Sequence, residues 1–205
     1  MAIKMNLGDT ELILSVCRKY KLSAPQTAYV LATAYHETAH TMKPIKELGG
    51  EKYLKSKKYY PYFGRGYVQL TWKENYIKAG KKLGADFIHN PGLLLEARYA
   101  APILVVGMIE GWFTGKKLSD YISGTKSDFV GARRIINGTD KASLISDYAK
   151  IYLTYLLNEP QKPVEAPKDY VVPVQPPVSK PSVQAPQAGF WAKLLELLKK
   201  LFKRT

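Results

Sequence analysis

Eight of the chain's thirteen prolines fall between Pro160 and Pro186, among Val, Gln, Ser and Lys and with no periodic apolar face. Proline fixes φ and has no amide donor, so such a run can be neither a helix interior nor a sheet centre. It stays extended and semi-rigid. The 205 residues therefore divide into a segment 1–158 able to bury a core of its own, a linker 159–188 and a tail 189–205. A proline-rich ligand for an aromatic groove fits the linker composition too, but tethering explains it more simply.

Segment 1–158 reads as mainly α with at most a small sheet. Asp9 to Lys21 predicts a first helix, with Leu12, Ile13 and Val16 on one face and Asp9 or Thr10 as cap. Ser23-Ala24-Pro25-Gln26 predicts the start of a second, because Ser23 and Gln26 form a capping box and Pro25 suits the first turn. It runs through the apolar stretch Ala28 to Ala39. Residues 41–62 predict a loop with short helical pieces. Lys73 to Leu83 predicts a helix stopped by Gly84. Asn90-Pro91 opens another, which Pro102 should break or kink. Shorter helices are expected at 117–122 and 127–135, and Asp140 caps a last one through Leu157. The single cysteine, Cys17, allows no internal disulfide and reads as a buried small hydrophobe. No secretory leader and no apolar run long enough to span a bilayer is found. Synthesis in the cytosol is expected.

The net charge of +14 is uneven. Residues 1–158 carry 23 basic and 13 acidic groups, the linker three of each, and the tail five and one. A basic surface favours an anionic partner: nucleic acid, acidic lipid or an acidic wall polymer. No nucleic-acid module is recognisable, so DNA and RNA are not expected partners.

At helical spacing the tail places Phe190, Trp191, Leu194, Leu195, Leu197, Leu198, Leu201 and Phe202 within an arc of about 160°. Lys193, Lys199, Lys200 and Lys203 fall outside it. Aromatic anchors, a leucine face and a lysine face predict a helix lying in an anionic membrane surface. The competing expectation is docking on the domain or on a second copy of the tail.

Glu37 closes the apolar stretch of the second helix, where a carboxyl needs partners or work to do. Two chemistries fit it. His36-Glu37-Thr38-Ala39-His40 matches H-E-x-x-H, in which two histidines one turn apart bind zinc and the glutamate acts as base. No third histidine is suitably placed, and Glu47 would have to complete the site. In the other chemistry two carboxyl groups cut a glycosidic bond, one protonating the leaving oxygen and the other activating water. An apolar setting favours the proton-carrying form and so the acid role for Glu37. The partner is then Glu47 or Glu51.

Phe63-Gly64-Arg65-Gly66-Tyr67-Val68-Gln69-Leu70-Thr71-Trp72, followed by Asn75-Tyr76, resembles the signature of the family 19 glycoside hydrolases, the chitinases and related phage endolysins. His36-Glu37-Thr38, Asn90-Pro91 and Ile135-Ile136-Asn137-Gly138 extend the resemblance in order over residues 25–150. Met42 to Glu47 resembles the endolysin branch. The resemblance implies a lysozyme-like α+β glycosidase domain with a deep cleft, and hydrolysis with inversion. It makes Glu37 the general acid, Glu47 the base and Thr71 the hydroxyl that holds the water. Gln69 and Asn75 match sugar-binding positions, Arg133 or Arg134 with Asn137 would line the far wall, and Arg65 would fix the turn. Tyr59, Tyr60, Tyr62, Phe63, Tyr67 and Trp72 could stack on sugar rings or only pack. Unlike plant members the chain has no disulfides, and Glu74 stands where many relatives carry an aromatic residue.

The expected protein is a monomeric phage-type endolysin that hydrolyses β-1,4 bonds of bacterial peptidoglycan without metal or cofactor. It would be made in the host cytoplasm and act at the wall after release, with its tail on anionic membrane or lipopolysaccharide. A chitinase and a zinc peptidase are the alternatives.

Overall fold

The computed structural model describes residues 3–158. The linker 159–188 and the tail 189–205, with every residue from Phe190 to Lys203 expected to meet a membrane, lie outside the described residues. Among the described residues no helix is long and apolar enough to cross a membrane.

The centre of the fold is α2 (Ala24–Glu37). Ser23 accepts from the Gln26 amide at 3.4 Å while Gln26 accepts from the Ser23 amide at 3.1 Å, the expected capping box. Thr27 through Tyr35 are all buried, so this helix is enclosed on every side rather than amphipathic. It packs chiefly against α7 (Ala142–Asn158), and α1 (Thr10–Lys19) packs against α5 (Ala97–Glu110). Cys17 is fully buried in α1, and burial pushes its thiol up to about 12, an inert packing group. Asp9 stands at the N-cap of α1 but makes no side-chain cap. Its carboxylate instead accepts from the Tyr67 hydroxyl at 2.7 Å.

α5 separates two apolar clusters. Ala101, Leu104, Val105 and Met108 join the cluster of α1, α2 and α7. Ile103 and Val106 face a second cluster with Leu70, Leu94, Trp112 and residues Tyr76, Ala79 and Leu83 of α4 (Lys73–Leu83). α5 continues through Pro102 without the break that the proline allowed. Pro102 sits in the second turn, where its missing N–H removes a single ladder bond, and burial of the flanking residues outweighs that loss. The chain does break earlier, at Glu96, which separates the 3-10 turn Pro91–Leu95 from α5.

Two small antiparallel sheets complete the domain. β1 (Ile45–Lys46) pairs with β2 (Arg65–Gly66), and β3 (Ile122–Ser123) with β4 (Lys126–Ser127). Short helices α3 (Glu51–Lys55) and α6 (Leu118–Tyr121) lie between them. The helix expected at 127–135 is a strand followed by a 3-10 turn, Gly131–Ile135. α7 starts at Ala142 rather than beside Asp140, because Lys141 is left-handed at φ 57° and cannot begin a right-handed helix.

Candidate active site

The loop joining β2 to α4 is built on backbone that alternating apolar residues do not foretell. Leu70 bridges back to Arg65, and Gln69 and Trp72 stand at φ 53° and 78°. Positive φ is sparsely populated by bulky residues, and the surroundings must hold it. Arg65 supplies one hold. Its guanidinium donates to the Pro61 and Phe63 carbonyls at 3.2 and 3.3 Å and to the Tyr76 hydroxyl at 2.5 Å. It is buried inside the turn. Gln69 supplies another, donating from Nε2 to the carbonyls of Ile45 and Gly66 at 3.0 and 3.3 Å and so tying the loop to β1. Gly64 lets that amide approach, since a Cβ there would meet Gln69 Oε1 at 2.8 Å.

This scaffold fixes Glu47 directly after β1. Its Oε2 accepts from the Gly64 amide at 2.9 Å and its Oε1 from the Tyr59 hydroxyl at 2.6 Å. The bond to Glu47 pushes the Tyr59 phenol up to about 12, so Tyr59 stays a donor across the physiological range. Glu51 has no such setting. It lies in α3, its side chain 78% exposed, and is paired with Lys55 at 2.5 Å. Of the two candidate partners, only Glu47 is held in a defined orientation.

Thr71 is half-buried, its hydroxyl on the Gln69 carbonyl at 2.8 Å, and Asn75 donates to the Thr71 carbonyl at 2.8 Å. Trp72 is exposed and meets the Tyr59 ring edge-on at 5.4 Å. These residues form one group with Glu47. Tyr67 is not part of its surface. It is fully buried with its hydroxyl on Asp9, which removes it from the expected sugar contacts.

Glu37 is the last residue of α2. The helix stops because Thr38 turns its hydroxyl back onto the Ala34 carbonyl at 2.7 Å and accepts from the Met42 amide at 3.0 Å. Ala39, His40 and Met42 follow with positive φ. His36 and His40 are thus not one turn apart on a continuous helix, as H-E-x-x-H zinc binding needs. The His40 ring stacks on Tyr35 at 4.4 Å, with Nε2 3.3 Å from the Tyr148 hydroxyl. Burial holds His36 below the ordinary imidazole range, so it is neutral at pH 7. Among the described residues no three His, Cys, Asp or Glu side chains converge as a metal site.

The partner of Glu37 is Arg133, from the 3-10 turn Gly131–Ile135. Its Nη1 donates to Glu37 Oε1 at 2.5 Å and its Nε to the Asp140 carbonyl at 3.0 Å. The Arg133 side chain is 5% exposed and that of Glu37 19%. The carboxyl expected in an apolar setting is instead ion-paired, with an edge open to solvent. Arg134, the neighbour expected on the far wall, is exposed, and its carbonyl accepts from Thr114. Asn137 is also exposed, its side chain on the Gly138 amide at 2.8 Å. Neither makes a hydrogen bond with Glu37 among the described residues.

Two carboxylates are therefore held by independent networks, Glu37 by a guanidinium and Glu47 by a phenol and an amide. Adjacent Arg133 and Arg134 are alike in sequence, and only the 3-10 geometry turns one inward. Tyr59 was one of several aromatics in a row, with nothing to single out its hydroxyl.

Residues 21–116 match the family model described as chitinase class I. The chain is 33% identical over 122 residues to an acidic endochitinase of Dioscorea japonica, covering 55% of this chain and 46% of that protein. Over 33 residues it is 54% identical to endochitinase 1 of Theobroma cacao, 16% of this chain and 10% of that one. An inactive chitinase-like protein 1 of Hevea brasiliensis is 46% identical over 37 residues, 18% of this chain and 12% of that protein. The chain thus spans less than half the length of each of these relatives.

Proposed function

We propose that this chain, whose residues 21–116 match the chitinase class I model, is an inverting family 19 glycosidase that cuts β-1,4 bonds of bacterial peptidoglycan. The observation that carries the reading is the pair of separately anchored, partly exposed carboxylates at 37 and 47.

The reacting form of Glu37 carries its proton on Oε2, the oxygen Arg133 leaves free, and donates it to the glycosidic oxygen as the bond breaks. The carboxylate left behind is stabilised by Arg133, already aimed at Oε1. Glu47 takes a proton from a water attacking the opposite face of the sugar, while the Thr71 hydroxyl orients that water. Tyr59 and the Gly64 amide hold Glu47 in place and leave its other lone pairs for the water. Trp72 offers a ring face to a sugar, and Asn75 positions the loop through the Thr71 carbonyl. An inverting pair needs about 6.5–9.5 Å between carboxyl groups, room for one water. No step calls on a metal or an organic cofactor.

The basic surface and the tail favour peptidoglycan. Segregated leucine and lysine faces in 189–205 would hold the enzyme at anionic lipid or lipopolysaccharide. The named relatives favour chitin as the second reading, since the two polymers share linkage and N-acetyl groups. Mass spectrometry of fragments released from purified sacculi and from colloidal chitin separates them. Sacculi are expected to yield glycan fragments at the higher rate, and faster turnover of chitin would replace the first reading by the second. In the same assay a chain ending at 188 should match the full chain on sacculi but lag in lysing whole cells. Equal lysis would remove the membrane role.

A further inference from the structure

The basic charge of the domain is concentrated in the stretch of sequence that contains Glu47. Residues 43–82 hold eleven basic and three acidic groups, a net +8 of the +10 carried by residues 1–158. Lys55 is neutralised by Glu51 and Lys82 by Glu110. Among the described residues Lys43, Lys46, Lys52, Lys57, Lys58 and Lys73 enter no ion pair. Like charges so close repel one another, and nothing in the core requires them.

The loop that carries them is ordered rather than merely charged. Leu54 is buried and anchors it, and the Lys57 and Tyr60 amides close turns on the Leu54 and Lys57 carbonyls at 3.1 and 3.0 Å. Tyr53 packs on the Gly49 backbone, where a Cβ would collide with its ring. The Lys57 ammonium lies 3.9 Å from the centre of that ring, a cation–π contact that limits where the charge can go. Two residues on, Tyr59 grips the Glu47 carboxylate. The lip also exposes Leu48, Tyr53 and Tyr60. Cations are thus displayed on a fixed rim beside the carboxylate assigned to water activation.

We propose that the lysine lip of residues 46–58 is a recognition surface for carboxylates borne by the glycan's side chains, so that the site selects a carboxylate-rich strand over a neutral one. A neutral polymer of N-acetylated sugars offers these ammonium groups nothing to pair with. A strand carrying lactyl-linked peptides presents a carboxylate at regular intervals along its length. At physiological salt a charge is felt over about 8 Å, so the lip reads groups hung on the sugars next to the cut bond. The inference rests on the glycosidase reading of the same site.

The test compares the full chain with its Lys52→Gln/Lys57→Gln/Lys58→Gln variant, each co-sedimented with insoluble polymer. Three preparations are used: teichoic-acid-free sacculi, the same sacculi with carboxylates capped as amides, and teichoic-acid-bearing walls. The unaltered chain is expected to bind uncapped sacculi about tenfold more tightly than capped ones, a few-fold for each exposed contact. In the variant that ratio should fall several-fold, to the residual preference that the tail and the other basic groups give both proteins. Because the tail is present in both proteins, its charge cancels. Equal ratios in the two proteins would overturn the proposal, as would a preference seen only on teichoic-acid-bearing walls, which would make phosphate the ligand. Binding is read without turnover, so failure to cut either polymer would count against the glycosidase reading and leave this result standing.

Discussion

Replacing Glu37 by Gln is expected to lower the rate of glycan hydrolysis about 10³-fold, within the range that a positioned general acid contributes. The amide has the shape of the carboxylic acid, and its oxygen can still accept from Arg133, but it has no proton to give. Its geometry survives and its chemistry does not. The loss should appear in kcat, with binding to sacculi nearly unchanged, because the proton matters only as the bond breaks. Release of reducing ends by the two proteins, measured side by side, checks it. A variant within tenfold of the parent would remove Glu37 from the acid role.

The second large effect is on stability. Arg133→Ala is expected to destabilise the domain by about 3 kcal/mol, the lower end for breaking a buried pair. The lower end is appropriate because the Glu37 side chain is 19% exposed and can recover some hydration. Arg133 also donates to the Asp140 carbonyl from the residues leading into α7, so its loss strands an acceptor as well as a carboxylate. For a domain of this size that corresponds to a fall in Tm of roughly 6–12 °C. Arg133→Lys should recover only part of it. A lysine restores the charge but cannot reach Glu37 and the Asp140 carbonyl together as the planar guanidinium does. Calorimetry on the three proteins decides, and an unchanged Tm for the alanine variant would mean that the pair does not hold the end of α2.

Much of this architecture was legible because local chemistry and tertiary packing agree. Ser23 and Gln26 announced the start of α2, the apolar run after them announced its burial, and Gly84 announced the end of α4, where it takes the left-handed cap. The sequence misled where packing overrode a local rule. Pro102 breaks nothing, because it stands early in a helix whose neighbours are buried. Asp9 looked like a cap and became the partner of a tyrosine 58 residues away. Around the site the residue types were readable and their environments were not. Glu37 was recognisable, but the guanidinium holding it comes from 96 residues further on. The choice between Glu47 and Glu51 depended on a turn that brings Tyr59 and Gly64 to the first and leaves the second in solvent with Lys55. Tyr67 and Trp72 look equivalent as aromatic candidates, yet the loop buries one and exposes the other.

The central claim is that the two carboxylates act from opposite faces of the sugar, Glu37 on the departing oxygen and Glu47 through a water. That claim fixes the stereochemistry of the product. Proton NMR of a β-linked oligosaccharide during the first minutes of hydrolysis, before mutarotation mixes the anomers, reads it directly. The account predicts the α-anomer at the newly formed reducing end. First-formed β-anomer would mean a double displacement, through a carboxylate or the sugar's own acetamido oxygen, and the roles assigned to Glu47 and Thr71 would be wrong.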